Sequence, residues 1–567
     1  MIETRKTCIT GKLPPPVGTS EWETFSQDSF CVDKTWMIKE LFDLKTRVAL
    51  FTRPRRFGKT TALKMIRAFF EKRLDEKGEQ VDTSYLFKDK KIWAAGEEYR
   101  KLQGRFPIIY LTFKDHKSNS WENASGKLIR DIGNEVLRHR VSVANGWDDG
   151  PRKDQLLRVM NRQAPVEEVA ESLGLLAEAI HAHWKVKPII LIDEYDQPIS
   201  SASTFGYYDQ MCSFMRTFLS SALKDNAHVE MGLMTGVLRV AKEGILSGLN
   251  NLKVYPVFDA AFSEYFGFTE DEVRGMAAYY GVPEKMAEIQ SWYDGYDFAG
   301  TEIYNPWSVL CYFSADCRPG PYWLDTSSND LITEIVATYP HDTKKVIAQL
   351  LRGERVYVPM AAELGPYAYV KDNPDTLYAL LVSAGYLKVS SEVELGCCAV
   401  EIPNHEIRQV FERDILTKLR RNVPDMDDIT RALLTNNPAA FKTAIGRFLV
   451  ESVSYFDSAA EGFYHGLTLG FLAILRNRYR VTSNGESGDG RFDLMLRPYL
   501  PGFPGYVIEV KAVDSDSDDL KALAAAAIRQ IDEKNYPAAL RAEGIADIVK
   551  LGLAYRGKRI ELSVGDD

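Results

Sequence analysis

The feature that most constrains the fold of this chain is an apolar segment that breaks into a basic loop ending in Gly-Lys-Thr. The segment runs from Val48 to Thr61 and reads Val-Ala-Leu-Phe-Thr-Arg-Pro-Arg-Arg-Phe-Gly-Lys-Thr-Thr, and an amphipathic stretch, Ala62 to Glu71, follows it. This order predicts a buried strand, a phosphate-binding loop and a helix. In such a unit, backbone amides and the N-terminus of the helix face the phosphates of a nucleoside triphosphate.

One position of the loop departs from the common pattern G-x-x-x-x-G-K-[ST], since Arg53 stands where glycine is usual. Lys59 would neutralise the outer phosphates, and the hydroxyl of Thr60 would reach Mg²⁺. Taken alone, the loop is also compatible with a basic surface turn whose arginines are solvated. The residues expected to bind the nucleotide are Arg53, Pro54, Arg55, Arg56, Phe57, Gly58, Lys59, Thr60, Thr61 and Asp193.

A second apolar run ends in two carboxylates and favours the nucleotide interpretation. In Pro188–Asp196, aliphatic residues lead into Asp193 and Glu194, at the carboxyl end of a strand, where open α/β sheets place their ligands. We expect Asp193 to hold Mg²⁺ and Glu194 to polarise the water that attacks the γ-phosphate. The next run ends near Thr235 and Arg239, which are candidates for sensing the γ-phosphate and for stabilising transition-state charge. A turn with a surface arginine is equally compatible there.

Length and composition restrict the class of protein. A chain of 567 residues exceeds a single core, and about three or four domains are expected. The net charge of −9 means that nucleic-acid binding would need a local basic patch. The seven cysteines form no CxxC pair, which is typical of reduced thiols in the cytosol. No segment approaches about 18 uninterrupted apolar residues, so we expect a cytoplasmic protein that does not bind membranes.

The apolar runs predict an α/β architecture in four parts. Continuous runs that alternate with longer amphipathic stretches indicate strands buried on both faces of a parallel sheet with flanking helices; they are Val48–Thr52, Phe106–Phe113, Val186–Asp193 and Val229–Thr235. We expect an N-terminal arm at 1–27, a P-loop ATPase domain at 28–260, a mainly helical lid or linker region at 261–436, and a restriction-endonuclease-like α/β domain at 437–567.

Local signals place further elements. The sequence Thr269-Glu-Asp-Glu272 predicts a capping box at the start of a helix. The apolar run Leu377–Leu387 predicts a helix. Near the C-terminus the patterns predict two strands, a long alanine-rich helix and a final strand, at Arg491–Leu496, Gly505–Val510, Asp518–Glu533 and Ile548–Tyr555.

The two predicted C-terminal strands carry a second set of chemistry-bearing residues. In the first strand, alternation places Phe492, Leu494 and Leu496 on one face and Asp493 on the other. In the second strand, Ile508 and Val510 share one face. The opposite face carries the two remaining candidates, Glu509 and Lys511.

If the strands are neighbours, Asp493, Glu509 and Lys511 converge on one surface. Two carboxylates there can bind Mg²⁺, which activates water for phosphodiester hydrolysis, and the lysine orients the nucleophile or balances charge. This arrangement resembles the PD-(D/E)xK nuclease signature. Glu461, in a helix-like stretch upstream, is a candidate additional ligand, and Gln530 is expected to face the site from the following helix. Solvated strand and helix faces are the alternative interpretation.

The motifs resemble those of the AAA-ATPase-like proteins with a C-terminal PD-(D/E)xK nuclease domain. That family's loop reads Arg-Pro-Arg-Arg-Phe-Gly-Lys-Ser/Thr, so Arg53 is normal for it, and we expect this arginine to add positive charge around the phosphates. Further similar motifs are Cys31-Val-Asp-Lys-Thr35, Ser247-Gly-Leu-Asn-Asn251, Trp292-Tyr-Asp-Gly-Tyr296, Tyr304-Asn-Pro-Trp307, Pro403-Asn-His-Glu406, Phe463-Tyr-His465, Gly490-Arg-Phe-Asp493, Ile508-Glu-Val-Lys511 and Gln530-Ile531. The resemblance implies ATP binding and a restriction-type nuclease fold.

We therefore expect an ATP-hydrolysing protein coupled to a Mg²⁺-dependent nuclease that acts on nucleic acid, with DNA as the expected substrate, in defence or mobile-element biology. One alternative is an NTP-dependent switch whose nuclease-like domain only binds nucleic acid or a protein. Another is a remodelling motor, which would need a homo-oligomer and an arginine, such as Arg239, offered in trans. Basic residues gathered around Asp493 would favour the nuclease over the switch, and the candidates are Arg476, Arg478, Arg480, Arg491 and Lys521.

Overall fold

The protein forms two compact units. A computed structural model describes residues 11–75, 77–238, 245–246, 249–323, 346–347, 349–359, 374–393, 397–412, 426–452, 461–472, 475, 478–500, 503–513 and 519–565. The first unit comprises residues 1–326 and 357–407, and the second comprises 327–356 and 408–567. These units group the chain more coarsely than the four expected parts, whose boundaries remain predictions.

A five-stranded parallel sheet forms the centre of the first unit. Its strands are β1 (Val48–Thr52), β2 (Ile108–Thr112), β3 (Ile189–Asp193), β4 (Met231–Gly236) and β5 (Leu252–Tyr255). The first four confirm the predicted strands, since continuous aliphatic runs are buried on both faces. The fifth was not predicted, because a four-residue strand at the edge of the sheet, with exposed Lys253 and only Tyr255 buried, carries little apolar signal.

The strand order is β2-β3-β4-β1-β5. Strand β4 therefore lies between the strand that enters the phosphate loop and the strand that ends in Asp193. In register, Thr52 pairs with Gly236, and Thr112 pairs with Asp193. Because all these strands are parallel, their carboxyl ends lie at one edge of the sheet, which is where the loop begins.

Helices cover both faces of this sheet. The helices from the N-terminal part through this domain are α1 (Trp22–Gln27), α2 (Trp36–Asp43), α3 (Lys59–Phe70), α4 (Lys91–Ala94), α5 (Glu97–Arg100), α6 (Trp121–Arg138), α7 (Arg140–Asn145), α8 (Pro151–Met160), α9 (Val166–Trp184), α10 (Gln197–Phe205) and α11 (Tyr208–Leu223). One large core joins β1–β4 to α6, α8, α9 and α11. Within the expected N-terminal arm, α1 is folded, and its buried Trp22 stacks on Phe87.

The middle part of the chain is helical with short strands. Its elements are α12 (Glu270–Tyr280), α13 (Met286–Tyr293), β6 (Tyr296–Phe298), β7 (Thr301–Ile303), α14 (Pro306–Ser314), β8 (Val356–Pro359), α15 (Pro374–Ser383), β9 (Lys388–Val393) and β10 (Cys397–Glu401). The predicted capping box is confirmed, because Thr269 accepts from the amide of Glu272 and the Glu272 side chain accepts from the amide of Thr269. The predicted helix at Leu377–Leu387 corresponds to α15.

The second unit holds a five-stranded mixed sheet. Its elements are α16 (Met426–Leu434), α17 (Pro438–Ser452), α18 (Glu461–Leu472), β11 (Tyr479–Ser487), β12 (Gly490–Pro498), β13 (Gly505–Ala512), α19 (Leu520–Glu533), α20 (Ala538–Ala542), β14 (Ile548–Arg556) and β15 (Arg559–Gly565). The strands follow chain order, and only β13 and β14 are parallel. Helices α16–α18 pack on one face, while α19 and α20 pack on the other. The edge strands β11 and β15 were not predicted.

The predicted alternation of β12 is right for Leu494 and Leu496 but wrong for Phe492. The two leucines lie in the core under α16–α18, whereas Phe492 lies in the core under α19. Phe492 is opposite Gly485 of β11, and its ring lies over that glycine. Positive φ at the neighbouring Asn484 interrupts the extended conformation of β11, so strict alternation ends here.

Two findings concern the expected environment of the chain. No helix within the described ranges is long and apolar enough to cross a membrane. The six cysteines in those ranges are free thiols.

Candidate functional site

The phosphate loop turns sharply into helix α3. Gly58, the residue before the helix, has φ 79°, and Arg56 has φ 69°. Glycine adopts this left-handed region without steric cost, which explains Gly58. Lys59 is 5% exposed, and its ammonium group donates to the carbonyl oxygens of Arg53 (2.9 Å) and Pro54 (2.8 Å). Burial lowers the pKa of Lys59, so an anion beside this ammonium would be strongly favoured.

The structure brings the predicted Mg²⁺ ligands together. The hydroxyl of Thr60 donates to Asp193 Oδ2 at 2.7 Å, and Thr235 donates to Asp193 Oδ1 at 2.6 Å. Asp193 is fully buried. A hydroxyl beside a buried carboxylate, at the N-terminus of a helix, is the oxygen donor set that fits Mg²⁺ with a bound triphosphate. Thr235 is thus a partner of Asp193, and its expected role as a γ-phosphate sensor remains a prediction.

Glu194 lies beside this pair in a strained backbone conformation. Its φ is 54°, a region that costs a non-glycine residue on the order of 1–3 kcal/mol and is frequent at functional sites. Its amide donates to the Thr235 hydroxyl at 3.4 Å. Burial raises the pKa of Glu194, and the nearby Lys59 opposes that rise. A partly desolvated carboxylate in this position fits the role of polarising water.

Asp196 is a site residue that the sequence patterns missed. Its Oδ2 accepts hydrogen bonds from the amides of Val237 (2.9 Å) and Leu238 (3.0 Å). The hydroxyl of Tyr195 donates to the carbonyl of Leu238. Together they fix the chain just before Arg239, which itself lies outside the described residues. The only signal in the sequence was a third acidic residue after the strand, and that is common in turns.

Arg53 differs from the expected picture of added positive charge around the phosphates. Its side chain is fully buried and donates to the carbonyl oxygens of Thr52 (2.9 Å), Tyr255 (2.7 Å) and Phe262 (3.4 Å). Its guanidinium also lies 5.0 Å from the ring of Phe266. The side chain therefore ties the loop to the end of β5. Its backbone N–H donates to the carbonyl oxygen of Gly236 at 3.1 Å, and phosphate binding by this residue remains a prediction.

Aromatic residues from the middle of the chain pack on the loop. Arg56 lies 4.4 Å from the ring of Trp307, and the ring of Phe57 meets Tyr296 edge-on. The indole N–H of Trp323 donates to the carbonyl of Arg55 at 3.3 Å. The motifs Trp292–Tyr296 and Tyr304–Trp307 thus supply residues around the loop, which explains why they accompany it.

In the second unit, the predicted carboxylates face each other across two strands. The register pairs Leu494 with Ile508, and extending it by one residue sets Asp493 opposite Glu509. Asp493 Oδ2 accepts from the amide of Val510 at 2.8 Å. Since Ile508 and Val510 lie in the core under α16–α18, Glu509 points to the opposite face, as predicted.

Glu509 is the buried centre of this site. It is 2% exposed, and its Oε1 accepts from Lys511 Nζ at 3.0 Å and from the side-chain Nε2 of Gln530. Its Oε2 is buried and has no hydrogen-bond partner within the described parts of the chain. Burial, with the Asp493 carboxylate beside it, raises the pKa of Glu509 to about 7. A divalent cation would satisfy the orphaned oxygen and offset the repulsion between the carboxylates.

For the third predicted metal ligand, Glu461, the structure describes only the position in the helix. Glu461 is the first residue of α18, but its side chain lies outside the described residues. His465, one turn later on the same helix face, has Nε2 3.3 Å from the carbonyl of Asp493. Among the described residues, no group of three or more His, Cys, Asp or Glu side chains is arranged so that it could hold a metal ion.

A basic concavity lies at the end of the sheet that carries Lys511. Its volume is about 730 Å³, and its charged lining residues are Lys442, Asp519, Lys521, Arg556, Lys558, Arg559 and Glu561. Strand β14 brings Arg556 there, directly after Tyr555, which pairs with Ala512. Of the basic residues that the sequence suggested around the site, Lys521 contributes to the concavity. Arg478 instead lies over Phe503, and Arg491 donates to the carbonyl of Asn484.

Comparisons with known proteins agree with this division. Residues 16–246 match the family model described as a predicted AAA-ATPase, and residues 459–563 match that of the PD-(D/E)XK nuclease superfamily. The chain therefore carries an AAA-ATPase-like domain followed by a C-terminal domain of that superfamily, which confirms the resemblance seen in the motifs. These families support enzymatic activity in general.

One full-length relative and one solved structure are also similar. An uncharacterized protein in the vnfD 5′ region of Azotobacter chroococcum mcd 1 is 26% identical over 94% of this chain and 94% of its own length. A signal-transduction ATPase (STAND) with a tetratricopeptide-repeat sensor from Pyrococcus horikoshii is 11% identical, with a TM-score of 0.22. That match covers 79% of this chain and 54% of the solved chain, so the chain spans about half of that structure's length.

Proposed function

We propose that this protein hydrolyses ATP and that its nucleotide state controls a Mg²⁺-dependent nuclease in the same chain. The substrate we propose is DNA, and the setting is cytoplasmic, in defence against foreign DNA or in the biology of mobile elements. The single observation that carries the nuclease is the buried Glu509, whose Oε2 has no partner among the described residues and whose neighbours are Asp493 and Lys511.

The ATPase proposal assigns a role to each residue at the edge of the first sheet. Lys59 binds the β- and γ-phosphates, and Thr60 with Asp193 holds Mg²⁺. Glu194 orients the attacking water. The 2.7 Å contact between Thr60 and Asp193 supports this assignment, because the two ligands already stand within reach of one ion. Arg239 would stabilise transition-state charge, in cis or across a homo-oligomer.

The nuclease proposal assigns metal binding to Asp493 and Glu509, with Glu461 as a further ligand. When bound, Mg²⁺ supplies an activated water and a positive charge near the scissile phosphate. Lys511 orients the nucleophile and balances charge in the transition state. Gln530 holds Glu509 by donating to Oε1, so it is a positioning residue.

The basic concavity supports contact with a nucleic-acid backbone. Five of its charged side chains are basic, and two are acidic. Of the acidic pair, Glu561 is 2.7 Å from Lys442, and Asp519 caps helix α19 by accepting from the amide of Lys521. A positive balance on one surface of an acidic chain is the electrostatic footprint expected for a polyanion.

The test is cleavage of plasmid DNA by the purified full chain with Mg²⁺, with and without ATP. We expect Lys511→Ala to abolish cleavage and retain ATP hydrolysis, and Lys59→Ala to abolish hydrolysis and the ATP response of cleavage. Lys534→Ala and Lys64→Ala, which change exposed or surface-paired lysines of the same units, serve as controls. Cleavage that persists unchanged in Lys59→Ala would exclude the coupling. Binding of DNA without cleavage by the wild type would instead favour a nucleotide-dependent binding switch.

A further inference from the structure

Glu406 is a buried carboxylate that neither proposed reaction uses. It is fully buried at the end of the motif Pro403-Asn-His-Glu406. Its two oxygens accept from the hydroxyl of Ser308 at 2.9 Å and 2.7 Å, and Oε1 also accepts from the amide of Trp323 at 2.8 Å. These donors are uncharged, and burial raises the pKa of Glu406 to about 7. A carboxylate kept in such a place at a cost in desolvation needs an explanation.

Each of the two residues that donate to Glu406 is connected to the phosphate loop through a different contact. Trp323 is 1% exposed, and its indole N–H donates to the carbonyl of Arg55 at 3.3 Å. Ser308 follows Trp307 on α14, and the ring of Trp307 lies 4.4 Å from the guanidinium carbon of Arg56. One carboxylate thus holds the backbone of Trp323 and the side chain of Ser308, the neighbour of Trp307. These two tryptophans contact adjacent arginines of the loop.

Trp323 and Glu406 also lie close in sequence to the two points where the chain leaves the first unit. The chain leaves the first unit after residue 326 and again after Ile407. Trp323 lies three residues before the first departure, and Glu406 directly precedes Ile407. The hydrogen bond between them joins two segments that are distant in sequence and that both lead into the second unit.

We infer that Trp323 and Glu406 form a nucleotide-responsive connection, which positions the phosphate loop and reports its occupancy to the two segments where the chain leaves the first unit. This inference rests on the proposed ATPase function and adds the route of its regulation. Trp323 and Glu406 are positioning residues and do not touch the nucleotide.

The physical basis is competition for the loop's carbonyl groups. Lys59 donates to the carbonyls of Arg53 and Pro54, and a bound triphosphate offers the same ammonium stronger, charged acceptors. When those bonds are exchanged, the backbone at the neighbouring Arg55 carbonyl moves, and Trp323 donates to that carbonyl. By thermodynamic linkage, if bound nucleotide changes the free energy of the Trp323 hydrogen bond, that hydrogen bond changes the free energy of nucleotide binding by the same amount.

The test combines nucleotide binding with hydrogen exchange on the full chain. The probe is a fluorescent, non-hydrolysable ATP analogue with Mg²⁺. Trp323→Phe removes the indole N–H and keeps an aromatic ring. Tyr322→Phe is the matched control, since its hydroxyl donates to the carbonyl of Arg318 and not to the loop. We expect Trp323→Phe to change the affinity for the analogue by about 2- to 10-fold, the effect of one hydrogen bond, and Tyr322→Phe to leave it unchanged.

Hydrogen exchange measures this connection directly, because the backbone amide of Trp323 donates to Glu406 and is protected while that hydrogen bond persists. In the wild type, the analogue should change exchange in the loop peptide and in the peptides that contain Trp323 and Ile407. In Trp323→Phe, the loop should still respond, and the other two peptides should not. A response confined to the loop in the wild type would overturn the inference. If the loop itself does not respond, it is the proposed nucleotide site that fails, so the two failures are distinguishable. Equal affinities and equal exchange in wild type and Trp323→Phe would also overturn it.

Discussion

At the scale of single residues, substitutions of Thr60 test whether the proposed nucleotide binding depends on Mg²⁺. Its hydroxyl contacts Asp193, and the same hydroxyl is the expected Mg²⁺ ligand. We expect Thr60→Val to weaken Mg²⁺-dependent ATP binding by roughly 10- to 100-fold, the usual cost of disturbing a metal site. Thr60→Ser keeps the hydroxyl and should stay close to wild type. The affinity of each variant for a fluorescent ATP analogue is measured by titration with Mg²⁺ present and with EDTA instead. If Mg²⁺ raised the affinity of the two variants equally, the assignment of Thr60 as a Mg²⁺ ligand would be contradicted.

Glu406 gives a prediction in which pH is the variable. Burial raises its folded-state pKa from 4.5 to about 7, so the protonated form favours folding. This group therefore costs no stability below pH 4.5, and its cost grows as the pH rises from 4.5 to 7. At 1.36 kcal/mol for each pKa unit, the full cost is roughly 3 kcal/mol. Glu406→Gln stays neutral at every pH. The melting temperature of this variant, measured relative to that of the wild type, should therefore be several degrees higher at pH 8 than at pH 5.

Thermal melts of the two proteins at pH 5 and pH 8 check this. Other titrating groups, such as Asp294, whose pKa burial also raises to about 7, are common to both proteins and cancel in the difference. A difference in melting temperature that does not change between the two pH values would show that Glu406 is ionised at no cost in the folded protein.

The sequence patterns indicated which side chains lie together where the direction of a strand was readable, and the roles assigned to those side chains remain predictions. Thr60, Asp193, Asp493, Glu509 and Lys511 stand in the predicted groups because each follows or lies on a strand whose direction was readable. An arginine in a phosphate loop can instead bind backbone carbonyls, as Arg53 does, and spacing alone does not distinguish these outcomes. The partners of Glu406 are distant in sequence, so its only signal was its membership of a motif.

At the scale of elements, two glycines of the β6–β7 region offer a matched test of packing. Both have positive φ, 95° at Gly295 and 87° at Gly300. A Cβ on Gly295 would stand 2.2 Å from the carbonyl oxygen of Pro403, whereas one on Gly300 meets nothing within 4 Å. Gly300→Ala should cost about 1–2 kcal/mol through backbone strain alone. Gly295→Ala should cost about 2 kcal/mol more, because the segment before Glu406 must move.

Melting temperatures distinguish the two alanine variants, since about 1 kcal/mol corresponds to a few degrees in a domain of this size. The same pair also probes the loop: Gly295→Ala should weaken binding of the ATP analogue, and Gly300→Ala should not. Equal destabilisation of the two variants would mean that the contact with Pro403 is not maintained in solution.

The elements that the sequence predicted are those with one dominant pattern. Strands β1–β4 are continuous aliphatic runs, and α12 begins at a capping box. The missed strands are of another kind. Strand β11 is mostly polar, from Tyr479 to Ser487, and β15 is half-exposed at the sheet edge. Edge strands bury one face or less, so pairing with a neighbour decides their conformation more than their own composition does.

At the scale of the whole molecule, neither unit is a continuous stretch of sequence. Residues 327–356 belong to the second unit, although the first unit resumes at 357 and extends to 407. Composition along the chain gives no indication that residues 327–356 belong to a different unit from the residues on either side of them. A truncation at the predicted boundary of 436 would therefore separate residues 408–436 from the rest of their unit, including Ile429 and Leu433, which are buried in its core.

The two separate cores lead to a prediction about ligand-linked stability. A ligand that binds only the folded state adds RT ln(1 + [L]/Kd), about 2.7 kcal/mol at 100 times Kd. ATP analogue with Mg²⁺ should therefore raise the melting temperature of the transition that belongs to the first unit, whose core includes β1 and β3. Lys59→Ala should remove this shift, because the buried Lys59 is the proposed phosphate ligand. Lys511→Ala should retain it in full, because Lys511 lies in the second unit. Calorimetry of the three proteins measures the shifts, and a nucleotide-induced shift in Lys59→Ala as large as that of the wild type would place the nucleotide elsewhere in the molecule.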